Sequence, residues 1–298
     1  MRRLLLLLVL LLSLGLRANE QYVISHYSIE DGMSQNTVVD ILQDRQGYMW
    51  FGTWNGLNRF DGYDFRVYKA MTNGQEARVN NRVELIYEDE QEQLWWMTYD
   101  EHYYMLDRSR SHITSHTKDQ LPVGMQQRLT HKNEVMRVDR HGITWQVDDQ
   151  PGIMRCRNGE WRRLTVDVDR HFAGQQREYF MLMEDSLGRT WVNPNGGGWS
   201  YYDAEQDKLV SPFTELSNVI HAAYVDREGQ MWISTFNGGV DCINMEVRPY
   251  SLYESQTDPN TNTTTEVRAF VQLRNGQIQT IVKDNERVYS ALDTRYGL

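Results

Sequence analysis

From Tyr22 onward the chain is filled by short runs of alternating apolar and polar residues, broken by turns rich in Asp, Gly and Asn. Such runs, with a period of two, predict strands rather than helices. One stretch sets the frame: LQDRQGYMWFGTWNGLNRFDG, Leu42 to Gly62, in which Asp44, Gly47 and Trp50 spell D-x-x-G-x-x-W. The pattern returns as Asp89 and Trp95, with Glu92 in the glycine position, then as Asp139, Gly142 and Trp145, as Asp185, Gly188 and Trp191, and as Asp226, Gly229 and Trp232. A degraded sixth copy keeps only Gly276, flanked by Leu273 and Gln279. The anchor positions 50, 95, 145, 191, 232 and 279 step by 45, 50, 46, 41 and 47 residues. That is the length of one four-stranded propeller blade.

The flanking columns fit this reading. Three residues before each Asp stand Ile41, Ile86, Met136, Leu182, Ala223 and, in the degraded copy, Phe270, all apolar. Asp and Gly then form a tight hairpin turn, with Asp bonding its own backbone and Gly taking a positive φ. The Trp falls early in the returning strand, where a large ring fills the wedge between stacked sheets. In the first blade the pattern predicts strands at Thr37–Gln43, Tyr48–Thr53, Leu57–Phe60 and Phe65–Tyr68. Third strands follow at Tyr103–Leu106, Ile153–Arg157, Trp199–Tyr202 and Val240–Ile243, with Asp61, Asp107, Asp203 and Asn244 at the next turns. Tyr22–Tyr27 has strand composition and is a candidate closing strand for the last blade. The fold class is therefore all-β: a propeller of five clear blades plus a partial sixth, expected to be part of a seven-bladed ring. If Tyr22–Tyr27 served a later blade, the segment would expose strand edges and aggregate.

Residues 1–19 read as a secretory signal peptide: Arg2 and Arg3, an apolar run from Leu4, and Ala18 at a cleavage point. The run to Leu16 is 13 residues, short of the ~20 that span a bilayer, and no cysteine follows it for lipid attachment. Residues 20–298 are expected to form one exported propeller domain, truncated at its C-terminus.

The formal charge of -10 becomes -13 once Arg2, Arg3 and Arg17 leave with the leader, which makes nucleic acid a poor partner. Nine Trp and seventeen Tyr suit an all-β protein and also sugar binding. The two cysteines, Cys156 and Cys242, fall two blades apart, too far to bridge, and read as buried hydrophobes. His112 and His116 would share a helix face, but their segment reads as strand and loop, so no metal site is expected. Carboxylates are dispersed, and neither catalytic residues nor a cofactor site is indicated.

The long connections Ala70–Asn81, Ser115–Asn133, Asp167–Gln176 and Glu254–Thr265 emerge on the face that carries the second-to-third strand turns. Those turns place Trp54, Asn55, Tyr99, Asp100, Asp148, Asp149, Asn195, Phe236 and Asn237 around the mouth of the ring, as candidate ligand-binding residues. Aromatic faces for C–H surfaces and amides or carboxylates for hydroxyls suit a sugar, although Asn and Asp also favour turns for backbone reasons alone. The five repeat Trp residues are assigned to packing between blades.

The Asp-to-Gly spacing of three separates the repeat from sialidase-type Asp boxes, where it is two. It resembles the two-component regulator propeller repeat. YSIEDGMSQNTVVDILQDRQGYMWFGTWNGLNRFDGYDF in blade one and DREGQMWISTFNGGVDCIN in blade five carry the resemblance, and DSLGRTWVNPNGGGWSYYD in blade four is close. Blades two, three and six depart, with Glu92 for Gly, Gln146 after Trp145, and neither Asp nor Trp in the sixth. The resemblance covers about residues 22–298. It implies the N-terminal periplasmic sensor part of a hybrid two-component receptor that detects oligosaccharides and regulates transcription. The kinase, receiver and DNA-binding domains, the membrane helix and any homodimer contacts would lie in further sequence, so no catalysis is expected here. The alternative is a free-standing secreted propeller, either a carbohydrate-binding protein or a polysaccharide lyase or glycosidase.

Overall fold

A computed structural model describes residues 22–70, 80–131, 134–148, 150–165, 180–194, 198–213, 220–235 and 237–245, together with the backbone of 266–272, 278–283 and 288–292. The leader, most of the long inter-blade connections, Asp149, Asn195 and Phe236 lie outside the described residues. The chain forms two compact units, Met1–Val247 and Arg248–Leu298.

The first unit contains five four-stranded antiparallel sheets. Blade one is β2 (Val38–Gln43), β3 (Met49–Thr53), β4 (Gly56–Phe60) and β5 (Phe65–Tyr68). Blade two is β6 (Val83–Glu88), β7 (Leu94–Thr98), β8 (Tyr103–Asp107) and β9 (His112–His116). Blade three is β10 (Met136–Val138), β11 (Thr144–Gln146), β12 (Ile153–Arg157) and β13 (Glu160–Leu164). Blade four is β14 (Leu182–Glu184), β15 (Thr190–Val192), β16 (Ser200–Asp203) and β17 (Lys208–Val210). Blade five is β18 (Ile220–Val225), β19 (Met231–Thr235) and β20 (Gly239–Asn244), completed by β1 (Val23–Tyr27). The second unit is a three-stranded antiparallel sheet, β21 (Glu266–Gln272), β22 (Ile278–Lys283) and β23 (Val288–Leu292). Phe270 and Gln279 of the degraded sixth repeat fall on β21 and β22, and its Leu273 and Gly276 lie outside the described residues.

The N-terminal strand is the closing strand. It runs antiparallel to β20 from Val23 opposite Asn244 to Tyr27 opposite Val240. The approach is so close that a Cβ at Gly239 would stand 2.3 Å from the Tyr27 carbonyl oxygen. Gly239 also holds φ at 76°, so glycine is required there on both counts. Blade five then packs directly on blade one: β18 lies beside β2, and Trp232, Val240 and Ala222 share a core with Val38, Ile41, Phe51 and Phe60. Within this unit five blades meet in sequence. Tyr22–Tyr27 thus serves blade five and not a later blade, so β20 is paired by β1 and the Trp232 ring fills the seam to blade one.

The repeat Trp residues lie in these seams. Trp50 joins the core between blades one and two, Trp145 packs on Tyr202 of blade four, and Trp191 packs with Met231 and Ile233 of blade five. Trp95 is different: its neighbours include Leu121 and Met125. Met125 belongs to a helix, α1 (Val123–His131), in the connection between blades two and three. The alternation rule read that connection as a loop, since a single nine-residue helix leaves no repeat signal.

Candidate functional site

The Asp-Gly-Trp motif is a hydrogen-bonded device. In each of the five repeats one Asp oxygen accepts the backbone N–H four residues on: Tyr48, Gln93, Ile143, Arg189 and Gln230, at 2.8–2.9 Å. The other oxygen accepts the Trp indole N–H of the same repeat, at 2.6 Å from Trp50, 2.7 Å from Trp95 and Trp191, and 2.8 Å from Trp145 and Trp232. All five Asp and all five Trp residues are buried. Sequence reasoning found the turn and the packing; the indole bond explains why the spacing between Asp and Trp is six in every copy. Gly47, Gly142, Gly188 and Gly229 have positive φ, and Glu92 adopts φ 60° in their place. Burial raises the carboxyl pKa of Asp226, against the Trp232 bond that lowers it. Burial likewise pushes the Cys242 thiol up to about 12, with Asp226 adding to the effect. Cys156 and Cys242 are both free.

The expected ligand-binding residues occupy the second-to-third strand turns, and each described one has local partners. Asn55 donates its backbone N–H to the Thr53 hydroxyl oxygen at 3.1 Å and its side-chain amide to the Ser34 carbonyl at 3.3 Å. Asp100 accepts the Thr98 hydroxyl at 2.6 Å. Asp148 accepts Arg163 at 3.0 Å. Asn237, at φ 55°, accepts the Thr37 hydroxyl at 2.7 Å and so ties blade five to blade one. Trp54 and Tyr99 come together: the Arg82 guanidinium lies 4.3 Å from the Trp54 ring centre and 4.2 Å from that of Tyr99. Tyr99 is 60% exposed. Asp149, Asn195 and Phe236 lie outside the described residues.

Arg82 also leads inward. Its Nε bonds Glu84 at 3.1 Å, and Glu84 lines a cavity of about 470 Å³ to which all five inner strands contribute. Asp40 and Val39 come from β2, Glu84 and Leu85 from β6, Arg137 from β10, Leu182 and Met183 from β14, and His221 and Ala222 from β18, while Arg128 and His131 enter from α1. The polar lining has a backbone cause. The inner strands of blades one, two and five each slip register between Val38 and Asp40, Val83 and Leu85, and Ile220 and Ala222. Such a bulge leaves one residue unpaired and re-aims its side chain. The residues within the slips are Val39, Glu84 and His221, and all three line the cavity. Glu84 and His221 are nevertheless buried from solvent.

The cavity lining follows a column of the repeat that the bulges remove from the strand alternation. Five residues before each repeat Asp stand Val39, Glu84, Glu134, Phe180 and His221, and every one lines the cavity. The apolar column two residues later, Ile41, Ile86, Met136, Leu182 and Ala223, is uniform, whereas this one mixes Val, Glu, Phe and His and so carries no periodic signal. Asp40, next to the column, bridges two blades and the helix. Its carboxylate accepts the Ile86 N–H at 2.7 Å and Arg128 at 2.8 Å, and Arg128 also donates to the Ile86 carbonyl. His131 pairs with Glu134 at the helix exit, and Arg137 donates to the His131 carbonyl at 3.1 Å. The cavity thus presents carboxylates, guanidiniums and imidazoles among aliphatic walls, the mixture that orients a polar organic ligand. Among the described residues no group of three His, Cys, Asp or Glu is placed to hold a metal ion, and no helix is long and apolar enough to cross a membrane. His112 and His116 sit on β9, where the His116 ring packs against Trp95.

Comparison with known proteins places these features. Residues 32–55 and 214–237 match the two component regulator propeller. A 59-residue stretch, 20% of the chain, is 44% identical to "Histidine kinase P4" of Formosa agariphila and covers 4% of that protein. Among solved structures, the extracellular domain assigned to a hybrid two component system of B. thetaiotaomicron shares 19% identity at a TM-score of 0.30, over 93% of this chain and 38% of that one. The WD40 beta propeller domain of Doa1 shares 11% identity at a TM-score of 0.40, over 76% of this chain and 96% of that one. The chain therefore spans 38% of that extracellular domain and 4% of the histidine kinase.

Proposed function

Because the chain carries two-component regulator propeller repeats, we propose that it is the ligand-sensing propeller of a two-component receptor, acting in the periplasm on an oligosaccharide. The observation that carries the reading is the axial cavity, where one column of the repeat delivers a side chain from every blade to a single point. Repetition of a blade builds a ring, but it does not require Glu84, Glu134 and His221 on the axis.

The sugar assignment rests on the approach to the cavity. Tyr99 presents an exposed ring, stiffened from behind by Arg82, which also grips Trp54. An exposed ring linked through Arg82 to Glu84 of the cavity would give a pyranose a C–H platform and a hydroxyl acceptor. Contact with Arg128 or His131 would alter the hold of α1 on Asp40 and Ile86, which offers a route from ligand to fold. The kinase, the transcriptional output and any dimer belong to further sequence of the receptor.

The test is titration calorimetry of the chain against a panel of neutral and acidic oligosaccharides, repeated with Glu84→Gln and Tyr99→Ala. Each contact removed should weaken binding by about 1 kcal/mol or more, roughly five- to tenfold. Unchanged affinity in both folded variants would remove this cavity as the site.

A further inference from the structure

A second cavity, of about 360 Å³, opens in the seam between blades one and two, away from the inner strands. One wall is a single row across the first sheet, in which Trp50 faces Arg59 and Arg59 faces Arg66. Side chains directly opposite on neighbouring strands stand about 5 Å apart, and like charges in that position repel. Arg108 reaches in from blade two as a third guanidinium. It is already neutralised, by Asp44 at 3.2 Å and Glu88 at 3.1 Å.

Arg59 and Arg66 are not. Among the described residues neither forms an ion pair with a carboxylate; their guanidiniums lie instead over the rings of Tyr48, at 4.4 Å, and Tyr68, at 5.2 Å. The Arg59 Nε is buried and has no hydrogen-bond acceptor among these residues. Three arginines thus line the cleft against the carboxylates of Asp44 and Glu92, with the Asp44 charge spent on Arg108 and Trp50. A paired set of forked donors, backed by aromatic rings and open to a cavity of this size, is complementary to an oxyanion.

We propose that this cleft binds the carboxylate or sulfate group of a small anionic molecule, held between Arg59 and Arg66. The site is separate from the axial cavity and does not depend on the reading given to it. Binding would remove the repulsion that the bare row carries, so the anion should also tighten the outer half of blade one.

Calorimetric titration of the purified chain with sodium sulfate and with sodium glucuronate, against sodium chloride at matched ionic strength, tests this directly. Binding of either above the chloride baseline supports the site, sulfate alone marking a sulfate group and glucuronate alone a sugar acid. Arg59→Gln and Arg66→Gln should each weaken binding about tenfold, the value of one charge-assisted hydrogen bond. Arg110→Gln, at a largely exposed position on the turn after β8, should leave it unchanged. Melting in anion-free chloride buffer separates ligand loss from misfolding: Arg66→Gln should melt at or above the parent chain, since it relieves the cross-strand repulsion. No heat above chloride, undiminished binding in both variants, or a clearly lower melting point for Arg66→Gln would overturn the proposal.

Discussion

The indole-to-carboxylate bond can be weighed against the ring contacts of the same residue by two substitutions at Trp232. Trp232→Phe keeps an aromatic side chain against Tyr27, Phe51 and Phe60 and deletes the N–H that reaches Asp226 at 2.8 Å. Asp226 retains the Gln230 N–H but is left with a buried, unsatisfied oxygen, a loss of roughly 1–3 kcal/mol. Trp232→Ala removes the ring as well. The site is 5% exposed and is walled by two sheets, so it cannot collapse, and the total should reach about 3–5 kcal/mol or more. Urea denaturation followed by far-ultraviolet circular dichroism gives both values, and the slope of the transition reports whether the ring still unfolds as one unit. In Trp232→Phe the Asp226 pKa should rise further, because the charged form loses a donor. Stability that stays within ~0.5 kcal/mol of the parent chain in Trp232→Phe would refute the reasoning for the bond. A fully stable Trp232→Ala that had lost ligand binding would refute the assignment of the ring to packing.

Three further outcomes follow from particular contacts. Glu92 alone among the five repeats takes a side chain into the left-handed region, at φ 60°, so Glu92→Gly should raise stability by roughly 0.5 kcal/mol in the same urea assay, strain relief exceeding the added chain entropy. Gly239→Ala sets a Cβ 2.3 Å from the Tyr27 carbonyl and should detach β1 from β20, read as faster amide exchange at Ile24–Tyr27 and as aggregation through the freed edge. Asp207 accepts Tyr202 at 2.7 Å and Arg162 at 2.6 Å, and pairs with the buried Arg155. Burial works to raise its pKa, but these bonds hold it at about 2. A depressed acid stabilises above its unfolded value of 3.8 and loses that contribution as pH falls through about 2. Asp207→Asn should therefore flatten the stability profile between those limits, as followed by thermal melts across that range.

Much of the fold is legible because a propeller states its plan repeatedly. The strand Phe65–Tyr68 and the third strand Ile153–Arg157 were bounded to the residue, since alternation and turn chemistry agree there. Asp61, Asp107 and Asp203 each cap the turn that follows, by accepting backbone N–H groups two and three residues on. Blade number was not legible in the same way. Nothing local in Tyr22–Tyr27 says which sheet it joins; that depends on the fit of Gly239 against Tyr27 and on the core that Trp232 shares with blade one. The axial site was half legible. Turn position alone puts Trp54 and Tyr99 on one face, but their joint hold on Arg82, and through it on Glu84, is a contact between blades that spacing cannot show. His221 and Glu84 were hidden because a bulge breaks the alternation by which inward and outward positions are told apart.

Amide hydrogen exchange of the chain, free and saturated with an oligosaccharide found by glycan-panel titration, tests the sensing cavity most directly. Bound sugar on the axis should slow exchange at Val39 and Asp40, Glu84 and Leu85, His221 and Ala222, and along α1, while the outer strands β5, β9 and β13 exchange as before. Protection confined to outer strands or to the second unit, with the inner strands and α1 unchanged, would contradict the account.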